Sequence, residues 1–563
     1  MYLDNGRNNM NRLYYFLLLV FLSSAVFLWT GCGSSGSIDQ PDARYQPETN
    51  DNPYPDSEDP WADYKGLKAG FGRAPIIEPG DDYKGYLISG FNMAPWNRTA
   101  LGVHDPIYAV ATVIDDGKKR IGIVAIDAFS ISINDTKIIR DAVCSKYGID
   151  HLIVHSVHNH DVPDNSGIYS VLNFYDFTAL KRCIELNNNA AIEAVRQAVN
   201  NLEPAQMYTG EVLDKDQLNL TDDERIKLNL KDMKKLTAPN AFGLSDLRPP
   251  FVTDNGLRLA VFKSPKDGHL IGTIVNWSNH VEAVWQWNQL ISADFVGYMR
   301  DALHEKFGGE TMFITGNTGS VSTYVSDPVV FYDEDAGKYV LEDVSSRVVY
   351  ENEEYWGRKY PYGEFNKENF DKAEALGNLL ADTVADAIES GKVGINTSPE
   401  IKYYILKDKI NVVNKIYLLA FFAGLLDRKS YVTDGKLAIE TELNVLKIGD
   451  LLMLTLPAEL YPEIAVGGVR TPAEGDYSSS LTEADLKMVN VPIRNLMHGK
   501  VNMIMNLGND HLGYLIPKSQ WDENEPFTFG NLRAPYGEEN SMSPDAATMI
   551  YGYAEKLLEQ AQE

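Results

Sequence analysis

Short runs of apolar, largely β-branched residues alternate along this chain with longer segments whose apolar positions recur every three to four residues. The runs Ile107–Val113, Arg120–Ala125, Leu152–Ser156, Gln206–Leu213, Leu257–Phe262, Leu270–Trp277 and Thr311–Thr315 are bounded by Gly, Asp or Asn, and they predict strands. Phe177–Val199, Ala293–Phe307 and Phe370–Ile388 carry the spacing of amphipathic helices. Asn366-Lys367-Glu368 supplies a start signal before the third of these, and Gly391 a stop. Beyond residue 400 the pattern predicts strands at Lys402–Ile405, Glu442–Ile448, Leu451–Leu456 and Val501–Asn506, then a closing helix from Pro544 to Gln560. Strands and helices mix without strict alternation and without an internal repeat. The expected class is therefore α/β (α+β): layered mixed β-sheets flanked by helices, in a single large domain.

The N-terminal region breaks this pattern. Leu13 to Trp29 is an apolar run preceded by Arg12 and followed by Thr30-Gly31-Cys32. A basic start, a short apolar stretch and small residues before a cysteine describe a secretory signal rather than a membrane span. The Cys after Thr-Gly resembles the bacterial lipoprotein box, which implies cleavage before Cys32 and acylation of its thiol. The expected layout is a signal peptide at 1–31, a flexible tether at 32–66 rich in Ser, Asp, Pro and Asn, and a folded domain at 67–563. The expected location is the bacterial cell envelope, with the chain held to the outer membrane by its lipid. With Cys32 acylated, only Cys144 and Cys183 remain, as one disulfide or as two buried thiols.

Composition narrows the partners. Over 563 residues the formal charge is −28, which argues against nucleic acid, since binding phosphates needs a basic surface. It also gives no general attraction to anionic lipid.

Candidate chemistry begins at the end of the Leu152–Ser156 strand, in Val157-His158-Asn159-His160-Asp161. On an extended backbone, alternate side chains share a face, so His158 and His160 can reach one point. Imidazole is the commonest metal-ligating side chain, although such a pair also occurs as hydrogen-bonded loop histidines. Four later segments likewise place polar residues just after apolar strands: Asn276-Trp277-Ser278-Asn279-His280, Gly316-Asn317-Thr318-Gly319-Ser320-Val321-Ser322, Leu456-Pro457-Ala458-Glu459 and Asn509-Asp510-His511-Leu512-Gly513-Tyr514. Taken singly, Glu459 reads as a helix-entrance acid and Tyr514 as a packed core tyrosine.

In this order the segments resemble the neutral/alkaline non-lysosomal ceramidase family. Ala69-Gly70-Phe71-Gly72-Arg73-Ala74 is similar to the family's A-G-x-G-R-A start, and Gly102-Val103-His104 to its G-I-H element. Val124-Ala125-Ile126-Asp127 resembles V-S-A-D, His158-Asn159-His160 falls on T-H-T-H-S-G-P, and Gly319-Ser320-Val321-Ser322 falls on the G-D-V-S-P-N hexapeptide. The resemblance runs from about Leu67 to the C-terminus. It implies a zinc ion held by His158, His280, Glu459 and Tyr514, with Ser322 at the catalytic serine's position. His160 is expected as an outer-shell or acid/base group, and Asp161 as a carboxylate orienting a histidine. The implied activity is zinc-dependent hydrolysis of an N-acyl amide, ceramide first, giving a sphingoid base and a fatty acid.

The chain also departs from that pattern. Ser320, Thr323 and Tyr324 replace the hexapeptide's Asp, Pro and Asn. Where the family has an arginine reaching substrate, this chain has Asn219, with Arg225 or Arg248 as substitutes under a different loop fold. The C-terminal immunoglobulin-like domain of many ceramidases is expected to be missing. A hydrolase of another acyl amide or ester, an unrelated metal hydrolase and a non-catalytic surface-binding lipoprotein are the alternative readings.

Overall fold

Alternation along the first strand already dictates a layered structure. In Lys68–Ile77, Gly70 and Gly72 face a helix and Phe71 faces a second sheet. A Cβ on Gly70 would lie 2.1 Å from the Ala198 carbonyl, and one on Gly72 2.4 Å from that of Ala194. Only glycine lets the Phe177–Asn200 helix approach this closely. On the opposite face, the Phe71 ring lies against Gly272 and meets Phe262 at 5.7 Å between centroids. The Ala-Gly-x-Gly motif is thus a spacer between helix and sheet.

In the computed structural model the residues described are 61–562, less 62, 92–97, 170–176, 214–244, 247–251, 255, 286–287, 323–328, 334–337, 343–350, 353–357, 360–363, 423–427, 434, 470–480 and 523–535. Cys32, Asn219, Arg225, Arg248, Thr323 and Tyr324 lie outside the described residues, as does nearly all of the expected tether. Glu58–Glu563 forms one unit.

Among the described residues, three mixed sheets of five strands build the domain. The first runs His151–Ser156, Arg120–Ile126, Ile107–Asp115, Lys68–Ile77, Glu203–Pro204. The second runs Glu310–Thr315, Leu270–Trp277, Leu257–Lys263, Gln206–Val212, Gly394–Ile395. In the third, Ile401–Val412 pairs with Lys436–Ile448, which continues to Leu451–Thr455 and Val501–Met505, and Ser430–Thr433 also pairs with Lys436–Ile448. The expected α/β class of layered mixed sheets is what the structure has. Helices Phe177–Asn200 and Ile133–Tyr147 cover the first sheet, Asp294–Phe307 and Glu364–Glu389 the second, and Ala546–Gln562 the third.

One apolar core, including Phe71, Phe262, Trp277, Phe295 and Phe313, fills the space between the first two sheets. A second, including Leu443, Leu454, Ile504, Ile550 and Leu557, lies between the third sheet and the C-terminal helix. The predicted helix at Phe370–Ile388 begins earlier, at Glu364, and the expected strand Lys402–Ile405 extends to Val412. Both extensions are interrupted by polar residues, Asn366-Lys367-Glu368-Asn369 in the helix and Lys407-Asp408-Lys409 in the strand, so apolar periodicity breaks off before the elements begin or end. Ile133–Tyr147 is a helix that periodicity did not single out; its Ser132 cap accepts from Asp135 N and Gly148 ends it in a left-handed turn. Cys144 and Cys183 are free thiols, the second buried. No described helix is long and apolar enough to cross a membrane.

A fixed topological feature recurs. Each sheet contains one parallel pair: Arg120–Ile126 with His151–Ser156, Leu270–Trp277 with Glu310–Thr315, and Leu451–Thr455 with Val501–Met505. Their carboxyl ends converge and are tied by main-chain bonds: Asn506 N donates to Thr315 O (3.0 Å), Asn509 N to Val154 O (2.6 Å), and Gly508 bridges His155. Asn276 Nδ2 donates to both Ile314 O and Ile504 O, at 3.0 and 2.9 Å. Burial pushes His155 down to about 3, so its ring stays neutral and its Nε2 accepts from Thr315 N at 3.2 Å.

The first and third sheets are also joined by charge. Glu442, its side chain 1% exposed, accepts from Arg140 (2.8 Å) and pairs with Lys407 (3.1 Å). Burial raises its pKa, but Arg140 outweighs this and holds it at about 2, below the ordinary 4.5. A depressed carboxylate stabilises the fold above its unfolded pKa and ceases to do so as pH falls through its folded pKa. Stability should therefore drop between about pH 4.5 and 2, by roughly 2–3 kcal/mol from this group. In urea titrations across that range, Glu442→Gln should show a correspondingly shallower acid-side decline; an unchanged slope would remove Glu442 as the cause.

Candidate metal centre and its serine

The three converging strand pairs deliver the candidate residues. His158 and His160 follow His151–Ser156, and His280 follows Leu270–Trp277. Ser322 ends the short strand Val321–Ser322 beyond Glu310–Thr315, Glu459 follows Leu451–Thr455, and His511 follows Val501–Met505. Sites outside the carboxyl ends of parallel strands are a general property of α/β sheets.

The histidine pair does not converge by strand alternation, as the sequence pattern predicts. The strand ends at Ser156, and His158 has φ 63°, a left-handed conformation. The turn is held from outside: Val157 N donates to Ile126 O (3.0 Å), Asn159 N to Ala128 O (3.1 Å) and His160 N to Val281 O (2.9 Å). Arg98, buried, donates to His160 O (3.0 Å) and to Asp161 Oδ1 (2.8 Å). Asp161 therefore braces the loop with Arg98 and Asn288 and does not orient a histidine as expected. His158, Ser320, Leu507 and Asn509 are all non-glycine residues at positive φ, so backbone strain is concentrated around this point.

His158, His280 and Glu459, three of the expected ligands, come together. Glu459 Oε2 lies 3.1 Å from His158 Nε2 and 3.0 Å from His280 Nε2. His158 Nδ1 is 2.8 Å from Phe129 O, and His280 Nδ1 is 2.7 Å from Val321 O. A carbonyl accepts only, so each Nδ1 carries the proton and each Nε2 of a neutral ring presents a lone pair. Two lone pairs then face one carboxylate oxygen, an arrangement that calls for a cation, either a proton on a ring or a metal ion. Burial pulls His280 down, but Glu282 and Glu459 outweigh it and push it up to about 9. Burial pushes His158 down, and the adjoining imidazoles hold Glu459 well below the ordinary carboxylate range against the effect of its own burial. Imidazole and carboxylate donors are ordinary zinc ligands, so the residues fit the ion that the resemblance implies.

Tyr514 is the register partner of Glu459 in a short parallel pairing, with its ring 5.9 Å from that of Tyr461. The site also contains residues the sequence reading did not assign. His511 Nε2 lies 3.2 Å from Glu459 Oε1. It lies in the Asn509-Asp510-His511-Leu512-Gly513-Tyr514 segment, where a histidine two positions after Asn509 was the available signal. Glu282, two residues after His280, is the other. Ser322 donates its hydroxyl to Glu282 Oε1, and His160 Nδ1 lies 3.0 Å from Glu282 Oε2. Burial raises Glu282, but His160 and His280 outweigh it and hold it at about 2, so it is a carboxylate. Nothing local in the sequence marks Glu282, because its partners come from two other segments. Aromatic rings enclose the cluster: Phe129 stacks on His158 at 4.8 Å, and Phe91 meets His160 edge-on at 4.9 Å.

No family model matches the sequence, and no curated protein matches it. Solved structures match by fold. Neutral ceramidase from Pseudomonas aeruginosa superposes with a TM-score of 0.55 at 14% identity, over 88% of this chain and 74% of that one. The chain has a neutral-ceramidase-like fold. A ceramidase complexed with C2 matches similarly, with a TM-score of 0.57 at 13% identity over 88% and 75% of the two chains. In this ceramidase-like fold the buried histidine cluster is a site that could hold a metal.

Gly319 couples the serine turn to the carboxylate strand. Its N–H donates to Leu460 O at 3.0 Å, and an added Cβ would lie 2.8 Å from Tyr461 N and 3.0 Å from Glu459 O. Gly319→Ala should cost about 1–3 kcal/mol by overpacking and should weaken uptake of added zinc at the cluster. Gly552→Ala, in the C-terminal helix with open space around it, should be neutral or stabilise by about 0.5–1 kcal/mol. Thermal melts with zinc analysis of both variants check this, and equal behaviour of the two would refute the coupling.

Proposed function

We propose that this protein is a lipid-anchored, zinc-dependent hydrolase of an N-acyl amide, with ceramide as the first candidate substrate. The observation that carries the proposal is the juxtaposition of two units. A buried imidazole–carboxylate cluster of His158, His280 and Glu459 adjoins a second chain of contacts, Ser322 to Glu282 to His160. A zinc ion held by the first unit would polarise the scissile carbonyl as a Lewis acid.

The protein's own groups supply the rest. Glu282 accepts a hydrogen bond from the Ser322 hydroxyl, which turns an oxygen lone pair of Ser322 outward toward the reacting carbon. His160, with Nδ1 on Glu282 and its ring held neutral, presents an Nε2 lone pair that takes the proton of the attacking oxygen and returns it to the departing nitrogen. The rings of Phe91 and Phe129 limit water at the centre and offer apolar surface to the hydrocarbon beside an amide. The ceramidase structures that match by fold support a lipid amide as the substrate class. Acylation of Cys32 would keep the enzyme at the membrane from which such a substrate is drawn.

The test is metal analysis of the purified protein together with hydrolysis of a fluorescent short-chain ceramide. One zinc per chain is expected, with turnover that chelation abolishes and added zinc restores. His158→Ala should lose both metal and activity. Ser322→Ala should retain zinc and lose about 10²–10⁴ in rate, the range for a group that handles a proton in the transition state. Full turnover by His158→Ala would overturn the reading.

A further inference from the structure

We propose that His511 completes the metal shell with His158, His280 and Glu459, and that His160 stays outside it. The proposal rests on the metal-hydrolase reading above and specifies its ligand set.

Two overlapping groups of ligand atoms lie within 4.8 Å of one another: His158 with His160 and His280, and His158 with Glu459 and His511. They share His158, whose Nδ1 is committed to Phe129 O at 2.8 Å. A neutral imidazole then has one lone pair, on Nε2, and one lone pair serves one ion. The two groups are therefore alternative descriptions of a single site.

Glu459 decides between them. Three Nε2 atoms from three different segments converge on its two oxygens: His158 and His280 on Oε2, at 3.1 and 3.0 Å, and His511 on Oε1, at 3.2 Å. His160 instead keeps Nδ1 3.0 Å from Glu282, the carboxylate that also accepts the Ser322 hydroxyl's hydrogen bond. Three imidazoles and one carboxylate make an ordinary zinc set, whereas a phenolate is a less usual donor than imidazole. The choice has a chemical consequence. A neutral ring in place of a phenolate leaves the shell one positive charge richer, which strengthens its pull on a carbonyl oxygen. It also frees His160 for proton handling.

Cobalt(II) is the probe, added to the purified full-length chain. Thiolate–cobalt bonding gives an intense near-ultraviolet charge-transfer band that nitrogen and oxygen donors do not give. His511→Cys should acquire that band, and Tyr514→Cys and His160→Cys should not. His511→Ala and His511→Gln should each lose more cobalt affinity than the roughly 10–100-fold that removal of an outer-shell partner costs. Melting curves of the variants exclude misfolding as the cause. A wild type that takes up cobalt while His511→Cys shows no band overturns the assignment of His511 and leaves the metal reading standing. A band in Tyr514→Cys or His160→Cys names the competing ligand and likewise overturns it. A wild type that takes up no cobalt or zinc overturns both.

Discussion

The structure depends on one constraint: three separate parallel strand pairs must end at the same place. Each sheet is otherwise antiparallel, and each contributes its parallel pair to the junction. Main-chain donors there have no partner within their own sheet. They are satisfied across sheets, as Asn506 N on Thr315 O, Asn509 N on Val154 O and Ser156 N on Leu507 O. Leaving one such buried group unpaired costs about 1–3 kcal/mol, so the junction is held by requirement rather than by surplus. The site residues leave the sheets directly beyond these bonds, and their positions are set by backbone geometry before any side chain chooses a rotamer.

The same junction explains how so much charge can be buried. Glu282 and Glu459 are both buried carboxylates, and four imidazoles surround them. Burying an isolated carboxylate is prohibitive, and burying it beside partners that can carry positive charge is tolerable. The pKa directions follow from this: the carboxylates are held low against their burial, His280 is pushed up, and His160 is pushed down to about 3. The charges are shared among strand tips that the sheets cannot separate, so the cluster exists only if all three sheets are in register.

Most strands were legible in the sequence because each is a short, buried, β-branched run, and the fold class followed from their mixture with helices. His158 and His280 stand just past such runs, whereas Glu459 and Ser322 were singled out only by the resemblance, since alone they read as a helix-entrance acid and a turn serine. Convergence was not legible. Alternation predicted that His158 and His160 share a strand face, whereas the structure brings their rings 4.7 Å apart through a left-handed residue after the strand ends. Asp161, read as a histidine's partner, is claimed by Arg98, a contact across 63 positions. Glu282 and His511 went unassigned for the same reason, since a carboxylate's partners are a property of the fold. The extensions of the Ile401–Val412 strand and the Glu364–Glu389 helix escaped because polar residues, Lys407-Asp408-Lys409 and Asn366-Lys367-Glu368-Asn369, interrupt the apolar pattern there.

The departure at the serine turn is best understood through that distinction between local pattern and assembled site. Ser320 stands where the resembling hexapeptide has an aspartate, which taken alone suggests a weakened serine. Yet Ser322 has a carboxylate, because Glu282 reaches it from the turn after His280. The Val321 carbonyl accepts from His280 Nδ1, so the residue before the serine fixes the ring that faces Glu459. The serine turn and the imidazole cluster are therefore joined twice, once through Glu282 and once through Val321. Moving either joint displaces both units, and a change within the hexapeptide need not remove the chemistry so long as these two contacts survive.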